Sequence, residues 1–408
     1  MTFENIGEQK SQFREALYIN LIFLIVGIGL QFFLGNIPKT AMAFPNNIII
    51  GIAFVLIFTG LFFWLKQKKI MSLLSGAPFA IITIVFLGVL TIGLGTFNID
   101  PNEDENLTSV KFGLHNITTA WYFALIFVLL LVNLWLAVLK RALVFQTKNI
   151  TFLLNHFGLW LALFAGVLGQ GDLVRLKMTL QNDVPEWRAA DDMGNVMELP
   201  LALELQKFDM EIYPNKLFLI NKEGEALPKA KPEGFLLEKK GATHRFANWE
   251  VTLLEYIEDA ITASENAYAS NPMWGSTNAA KIKIKNLKDG KETTEWISCG
   301  NFQFPPKAVK LSEDFTLVMA PPEAKKYQSN VLIYEKDKKE VGKGEILVNQ
   351  PLKVNGWKIY QLSYNEQLGR WSNVSILELV HDPWLPLVYI GIFILIAGSI
   401  SFLFQNRK

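Results

Sequence analysis

The chain has 408 residues, of which 50% are hydrophobic, 19% are charged and 12% are aromatic. A soluble globular protein carries about a quarter charged residues, so this composition favours a membrane protein. The formal net charge of +1 gives no field that would attract nucleic acid, and the single cysteine excludes an intramolecular disulfide and a covalent CxxCH haem site.

Six apolar stretches are long enough to cross a bilayer, which takes about 20 helical residues. In chain order they cover residues 17–35, 47–65, 78–95, 120–139, 150–169 and 384–404. The sequence therefore predicts a polytopic α-helical membrane protein with six spans. The predicted divisions are a two-span segment at 1–75, a three-span core at 76–170, a domain at 171–380, and a final span with its tail at 381–408.

Basic residues in the short loops predict the orientation, because such loops are enriched in Lys and Arg on the cytoplasmic side. Ten basic residues fall in alternate loops and tails: Lys10, Arg14, Lys66, Lys68, Lys69, Lys140, Arg141, Lys148, Arg407 and Lys408. Both termini are therefore predicted to be cytoplasmic, in a cell inner (cytoplasmic) membrane. Residues 171–380 are then predicted to be extracytoplasmic, facing the periplasm or the cell exterior.

The segment between the fifth and sixth spans is predicted to be a large β-rich domain. Residues 201–205 and 281–285 alternate apolar and polar side chains, as half-buried strands do. Residues 288–291 and 354–357 are typical of hairpin turns. A short helical piece is predicted at 255–263.

Among His, Asp, Glu, Lys and Arg, His156 is the single residue inside the predicted spans. Ionisable groups in a membrane are costly and mark functional sites, and a neutral imidazole nitrogen is a common ligand of haem iron. The alternative is a structural histidine, hydrogen-bonded to the backbone or to Asn155. On another side of the same helix, Gly158, Ala162 and Gly166 form a small-residue face suited to close helix packing.

Three further residues are weaker candidates for a binding role. Trp160 lies one helical turn beyond His156 and is a candidate for packing against a porphyrin. His115 and His381 fall near the external ends of spans, where either a ligand role or an interfacial anchoring role fits. The predicted spans hold no carboxylate, which argues against a secondary transporter.

Several stretches taken together resemble the ResB family, also called CcsB. They are residues 346–352, Gly356-Trp357, Tyr360-Gln361, Ser363-Tyr364, Leu199-Pro200-Leu201, Phe208, Ile212-Tyr213-Pro214 and residues 382–391. The resemblance covers roughly residues 150–408. Two departures are visible: Trp384 stands where the family commonly has Gly, and five spans precede the domain where the family usually has three. The second departure marks residues 1–75 as an added or lineage-specific two-span segment.

The resemblance implies a subunit of the system II cytochrome c synthase, which exports haem and joins it to CxxCH sites of apocytochrome c. It implies a CcsA (ResC) partner, haem b as the transported group, and His156 as an axial haem ligand, because the family carries a histidine in the span before the domain. No Trp in this chain is followed by Asp, so the tryptophan-rich segment of the CcsA half is absent and the chain resembles an unfused CcsB-type subunit. Such a subunit is non-catalytic or co-catalytic in the haem lyase complex. The alternative function is an envelope scaffold or receptor whose β domain binds an external ligand.

Overall fold

The computed structural model describes residues 3–96, 113–144, 146–264, 266–335 and 340–405. The chain divides into two compact units. The helical unit consists of Met1–Val174 together with His381–Lys408, and the β unit is Arg175–Val380.

The helical unit contains seven α-helices among its described residues. They are α1 (Phe3–Leu34), α2 (Asn46–Leu65), α3 (Lys69–Leu74), α4 (Ala77–Thr96), α5 (Trp121–Ala142), α6 (Ile150–Leu168) and α7 (Leu385–Gln405). Short 3-10 turns lie at Lys39–Met42, Leu114–Thr119, Thr147–Asn149 and Gly169–Gly171.

Five of these helices, α1, α2, α5, α6 and α7, are long and apolar enough to cross a membrane. The predicted span at 78–95 corresponds to α4, whose apolar stretch Ala77–Gly93 is shorter than the other five. The described residues therefore provide several long apolar helices, consistent with a membrane protein. A sixth crossing by α4 stays a prediction.

Polar side chains join the C-terminal end of α1 to the N-terminal end of α5. α1 stops at Gly35, which adopts φ = 70° and donates its amide to the carbonyl of Gln31 at 2.9 Å. Gln31 Nε2 donates to Asn36 Oδ1 at 2.6 Å, and Asn36 Nδ2 donates to Thr119 Oγ1 at 3.0 Å. Gln31 Oε1 also accepts the amide of Trp121 at 3.2 Å. These bonds satisfy backbone and side-chain groups that the bilayer could not solvate.

The β unit is formed by seventeen strands in the described part of the chain. They are β1 (Val174–Gln181), β2 (Pro185–Ala190), β3 (Val196–Ile212), β4 (Lys216–Asn221), β5 (Phe235–Leu236), β6 (Thr243–Phe246), β7 (Trp249–Ser264), β8 (Ala267–Ser270), β9 (Thr277–Asn286), β10 (Glu292–Ser298), β11 (Val309–Lys310), β12 (Phe315–Met319), β13 (Ala324–Glu335), β14 (Glu340–Leu347), β15 (Leu352–Val354), β16 (Trp357–Tyr364) and β17 (Val374–His381).

These strands form three sheets. One sheet has eight strands in the order β14-β13-β3-β2-β1-β17-β16-β15. The second sheet has the order β10-β9-β7-β6, with β8 beside β7, and the third has the order β11-β12-β4-β5. These two sheets share one hydrophobic core and form a sandwich lobe. Its largest fully buried side chains are Leu217, Leu237, Leu253 and Ile282.

The Tyr360-Gln361 motif serves the fold of the eight-stranded sheet. Gln361 is buried, and its Oε1 accepts the hydroxyl of Ser329 at 2.6 Å. Its Nε2 donates to Ser375 Oγ at 3.0 Å and to the Ser363 carbonyl at 2.8 Å. Since Ser329 lies on β13, far from β16 and β17 in the strand order, the sheet curls to bring these strands together. Gln361 therefore belongs to a buried polar cluster whose hydrogen bonds are satisfied.

The predicted strands at 201–205 and 281–285 are confirmed as parts of β3 and β9. Both predicted turns are also confirmed. Gly290, at φ = 71°, lies between β9 and β10, and Asn355 and Gly356, at φ = 47° and 82°, connect β15 to β16. Two left-handed central residues are typical of the turn type that two-residue hairpins favour.

The helical piece predicted at 255–263 is wrong, because these residues lie within β7. The pairing of β7 with β9 shifts register between Leu253 and Glu255 and again between Ile257 and Ala260. Each shift interrupts the alternation of buried and exposed residues, which is the sequence signal of a strand. The backbone partners that make this segment a strand are β8, which follows directly, and the first residues of β9.

Candidate functional site

His156 lies six residues beyond Ile150, the first residue of α6. Its Nδ1 is 3.0 Å from the carbonyl oxygen of Phe152, and its half-buried ring stacks on the Phe152 ring with centroids 3.7 Å apart. A carbonyl oxygen only accepts, so Nδ1 carries a proton in this contact, and in the neutral ring the lone pair is then on Nε2. An imidazole held in this way by a backbone carbonyl is typical of metal-ligating histidines. The same bond also fits the structural alternative, so haem ligation by His156 stays a prediction.

A cation lies beside this aromatic pair. The guanidinium carbon of Arg141, at the end of α5, is 5.0 Å from the centroid of the Phe152 ring. Arg141 also donates to Asn149 Oδ1 at 3.1 Å, and Asn149 Nδ2 donates to the carbonyl of Val144 at 2.8 Å. These bonds hold the positive charge of Arg141 against Phe152, whose ring stacks on that of His156.

The small-residue face of α6 packs against α7. A Cβ atom built on Gly158 would lie 2.5 Å from the backbone nitrogen of Leu395 and 2.7 Å from the carbonyl oxygen of Gly391. One built on Gly391 would lie 2.5 Å from the backbone nitrogen of Ala162. The predicted packing role is therefore confirmed for Gly158 and Ala162. Gly166 has no atom within 4 Å of such a Cβ, so it takes no part in this contact.

Trp160 lies in an aromatic cluster and is only 4% exposed. Its ring centroid is 4.5 Å from those of Trp135 on α5 and Phe164 on α6, and 6.5 Å from that of Phe54 on α2. These contacts give Trp160 a packing role between three helices. Its predicted contact with haem stays a prediction.

Asp172 joins three elements at the C-terminal end of α6. One carboxylate oxygen accepts the amide of Phe44 at 2.7 Å, and the other accepts Asn47 Nδ2 at 2.7 Å and Trp384 Nε1 at 2.8 Å. His381 lies close enough for its charge to interact with this carboxylate. The loop before α2, the start of α2 and the start of α7 are thus held by one side chain.

Burial acts to raise the pKa of the Asp172 carboxyl, but hydrogen bonds from Phe44, Trp384 and Asn47 and the charge of His381 outweigh it. The pKa of Asp172 therefore lies below its ordinary value. A carboxyl with a lowered folded-state pKa stabilises the protein above the ordinary pKa of about 3.9, and this contribution is lost as the pH falls through the folded-state pKa.

We expect Asp172→Ala to lower the free energy of unfolding by about 1–3 kcal/mol at pH 7, because three donors lose their acceptor. Thermal unfolding of the purified protein in detergent, followed by circular dichroism, measures the change. The difference between the wild type and the variant should shrink as the pH falls below about 3.9 and through the lower folded-state pKa, where the native carboxyl takes up its proton. Equal melting temperatures at pH 7 would contradict this role.

His115 is placed in the 3-10 turn Leu114–Thr119 that leads into α5. Its side chain lies outside the described part of the structure, and a ligand role for it stays a prediction.

Within the β unit, a cleft of about 380 Å³ lies between the eight-stranded sheet and the sandwich lobe. Arg370 crosses this joint, donating to Asp259 Oδ1 at 2.9 Å and to the carbonyl of Glu258 at 2.7 Å. Trp371 Nε1 donates to the carbonyl of Ser276 at 3.0 Å. These bonds fix the two parts of the β unit to each other.

Together the long apolar helices and the β unit that precedes α7 define a multi-pass membrane protein with a large β-rich domain. A model of the ResB-like family matches residues 274–376, about a quarter of the chain. The match supports the resemblance to the ResB/CcsB family and suggests a membrane subunit of cytochrome c biogenesis. A comparison with the curated proteins finds no match.

The match is narrower than the resemblance seen in the sequence. It begins in the loop before β9 and ends within β17, so it includes Ser276, Gln361, Arg370 and Trp371. His156 lies outside it. The family match therefore bears on the β unit, and the role of His156 rests on its own geometry.

Two polar residues of structural weight were missed by reasoning from the sequence. Asp172 lies three residues beyond the predicted span at 150–169, and Arg370 lies in the 3-10 turn Gly369–Trp371, which carries no recognisable motif. An acidic residue at the end of a span is a signal for Asp172, since it needs hydrogen-bond donors at the membrane boundary. The partners of Arg370 lie about a hundred residues earlier, and no local pattern points to them.

Proposed function

We propose that this chain is the CcsB-type subunit of a system II cytochrome c synthase. It would help to carry haem b across the membrane and deliver it to CxxCH sites of apocytochrome c, together with a CcsA/ResC-like partner. Its β unit would face the periplasm or the cell exterior, and both termini would be cytoplasmic, as the basic residues of the short loops favour.

The observation that carries the haem-binding part of this proposal is the hydrogen bond between His156 Nδ1 and the Phe152 carbonyl. It occupies Nδ1, so that Nε2 is the nitrogen with which the neutral imidazole would bind iron in the membrane. An axial histidine from the partner would complete a bis-histidine site, which holds the iron low-spin. When bound, haem supplies the vinyl groups and iron that the synthase delivers to apocytochrome c.

The charge beside His156 suits the carboxylates of haem. Arg141 and Lys140 are exposed at the end of α5, and Arg141 lies against the Phe152 ring on which His156 stacks. Guanidinium groups pair well with carboxylates. Arg141 would thus hold a propionate near the membrane surface while His156 binds the iron further in.

The test is co-expression of the protein with a CcsA-like partner, followed by absorption spectra of the oxidised and dithionite-reduced complex. We expect a Soret band and sharp reduced α and β bands in the wild type. His156→Ala should lose or shift these bands. The matched control is Leu159→Ala, since Leu159 is an exposed residue of the same helix.

Added imidazole provides a second readout. It should restore the bands of His156→Gly, because the free base can occupy the space of the missing ring. If the wild-type complex contains no haem despite an intact partner and a normal haem supply, the haem-ligand role of His156 is contradicted and the structural role is favoured. The envelope scaffold or receptor would then be the better function.

A further inference from the structure

Two adjoining cavities lie in the helical unit at the C-terminal end of α6. The first is a groove of about 330 Å³ between α2 and α6, and the described residues that line it are all apolar or aromatic. The second is an end cavity of about 600 Å³, lined mainly by residues that follow α6 or precede α7. Ile48 and Trp384 line both, so the two cavities join into one site that is apolar along the helices and polar at one end.

The groove has the shape and chemistry to hold a hydrocarbon chain. A Cβ atom built on Gly51 of α2 would lie 2.8 Å from Leu168 Cδ1 and 3.6 Å from Phe164 Cζ, so the absent side chain lets α6 pack against the floor of the groove. Ile52 and Leu56, which also line the groove, are 56% and 66% exposed. An unfilled groove inside a bilayer loses dispersion contacts, and a flexible acyl chain can restore them.

Asp172 supplies the negative charge of the end cavity. Three neutral donors hold its two oxygens at 2.7–2.8 Å, namely the amide of Phe44, Asn47 Nδ2 and Trp384 Nε1. A carboxylate has about four lone-pair sites, so capacity for one more donor is left. Among the described residues that line the two cavities, Asp172 is the only acidic one, His381 is the only base, and none is Lys or Arg. The site is therefore complementary to a ligand that brings its own cationic donor.

We propose that the joined cavities bind a phospholipid with a primary-amine headgroup, phosphatidylethanolamine, with its ammonium on Asp172 and one acyl chain in the groove. An ammonium has three N–H donors and makes a charge-assisted hydrogen bond with a carboxylate. The choline headgroup carries the same charge without an N–H, and the glycerol headgroup carries no cation. Trp384 is typical of the aromatic belt at a membrane interface, which is the level of lipid headgroups.

This lipid site is independent of haem binding at His156, which lies roughly 18 Å of helix away from Leu168. One wall of the groove is α2, which belongs to the two-span segment at 1–75. Lipid binding would therefore give that segment a function of its own.

The test measures lipid binding to the full-length protein in mild detergent by native mass spectrometry, with phosphatidylethanolamine and phosphatidylcholine of identical acyl chains. We expect the wild type to bind phosphatidylethanolamine about 10-fold more tightly, the ratio that one charge-assisted hydrogen bond provides. Asp172→Asn should bind both lipids equally, because the carboxylate charge is gone. Ile52→Trp, which fills the groove, should weaken both lipids alike and keep their ratio.

Glu15→Gln is the matched control, since it also removes one carboxylate from the helical unit and Glu15 lines neither cavity. Its ratio should equal that of the wild type. A mere loss of stability would weaken both lipids and leave their ratio unchanged, so the hydrogen bonds of Asp172 within the protein do not imitate the result. Phosphatidylglycerol, tested on the wild type, should bind no better than phosphatidylcholine, and this comparison needs no variant. Equal binding of the amine and choline lipids by the wild type, or a preference that Asp172→Asn retains, would overturn the proposal.

Discussion

Replacing Gly158 with valine is expected to force α6 and α7 apart and to lower the free energy of unfolding by about 3 kcal/mol or more. A Cβ at this position would meet the backbone of Leu395 and Gly391 at 2.5 and 2.7 Å, distances that real Cβ atoms do not show. Because both obstacles are backbone atoms, no rotation of a side chain relieves the clash. Membrane helices also gain their association mainly from such close packing.

The same helix supplies the control. Gly166 is exposed, and a Cβ atom built on it would have nothing within 4 Å, so Gly166→Val should leave stability nearly unchanged. The measurement is thermal unfolding in detergent together with size-exclusion chromatography. Equal losses in the two variants would mean that the contact of Gly158 with α7 contributes little.

The contact between α6 and α7 shows which features of the fold can be predicted from the sequence. Three small residues at spacing four predict a packing face, and two of them, Gly158 and Ala162, do pack. Their partner is not predictable from the pattern, because Gly391 and Leu395 follow the β unit in the chain. A local pattern identifies a helix face that is suited to packing. The long-range topology decides which helix packs on that face, and here it leaves Gly166 outside the contact.

In the β unit, too, features encoded in adjacent residues are predictable and features that depend on strand pairing are not. Its hairpins are predictable because the turn geometry is encoded in adjacent residues such as Asn355 and Gly356. The strand β7 is not, because register shifts against β9 remove the alternation. Arg370 and Asp172 act through partners on other elements, so their roles emerge only from the three-dimensional structure.

Replacing Trp160 with alanine is expected to cost about 3–5 kcal/mol, the range for deleting a buried aromatic side chain. The centroid of its ring lies 4.5 Å from those of Trp135 and Phe164. Because the ring packs between α2, α5 and α6, none of these helices can fill the space left by its removal without disturbing the other two. Thermal unfolding in detergent measures the loss. Trp64→Ala is the matched control, since Trp64 lies on α2 and is 79% exposed.

Trp160→Phe distinguishes packing from haem contact. Trp160 Nε1 has no hydrogen-bond partner among the described residues, so phenylalanine removes an unpaired buried donor and keeps most of the aromatic contact. The loss of stability should therefore be much smaller than for alanine. In the haem-loaded complex, a shift of the Soret band in Trp160→Phe would support the predicted contact with the porphyrin. Unchanged bands would contradict that contact and leave Trp160 as a residue that packs α2, α5 and α6 together.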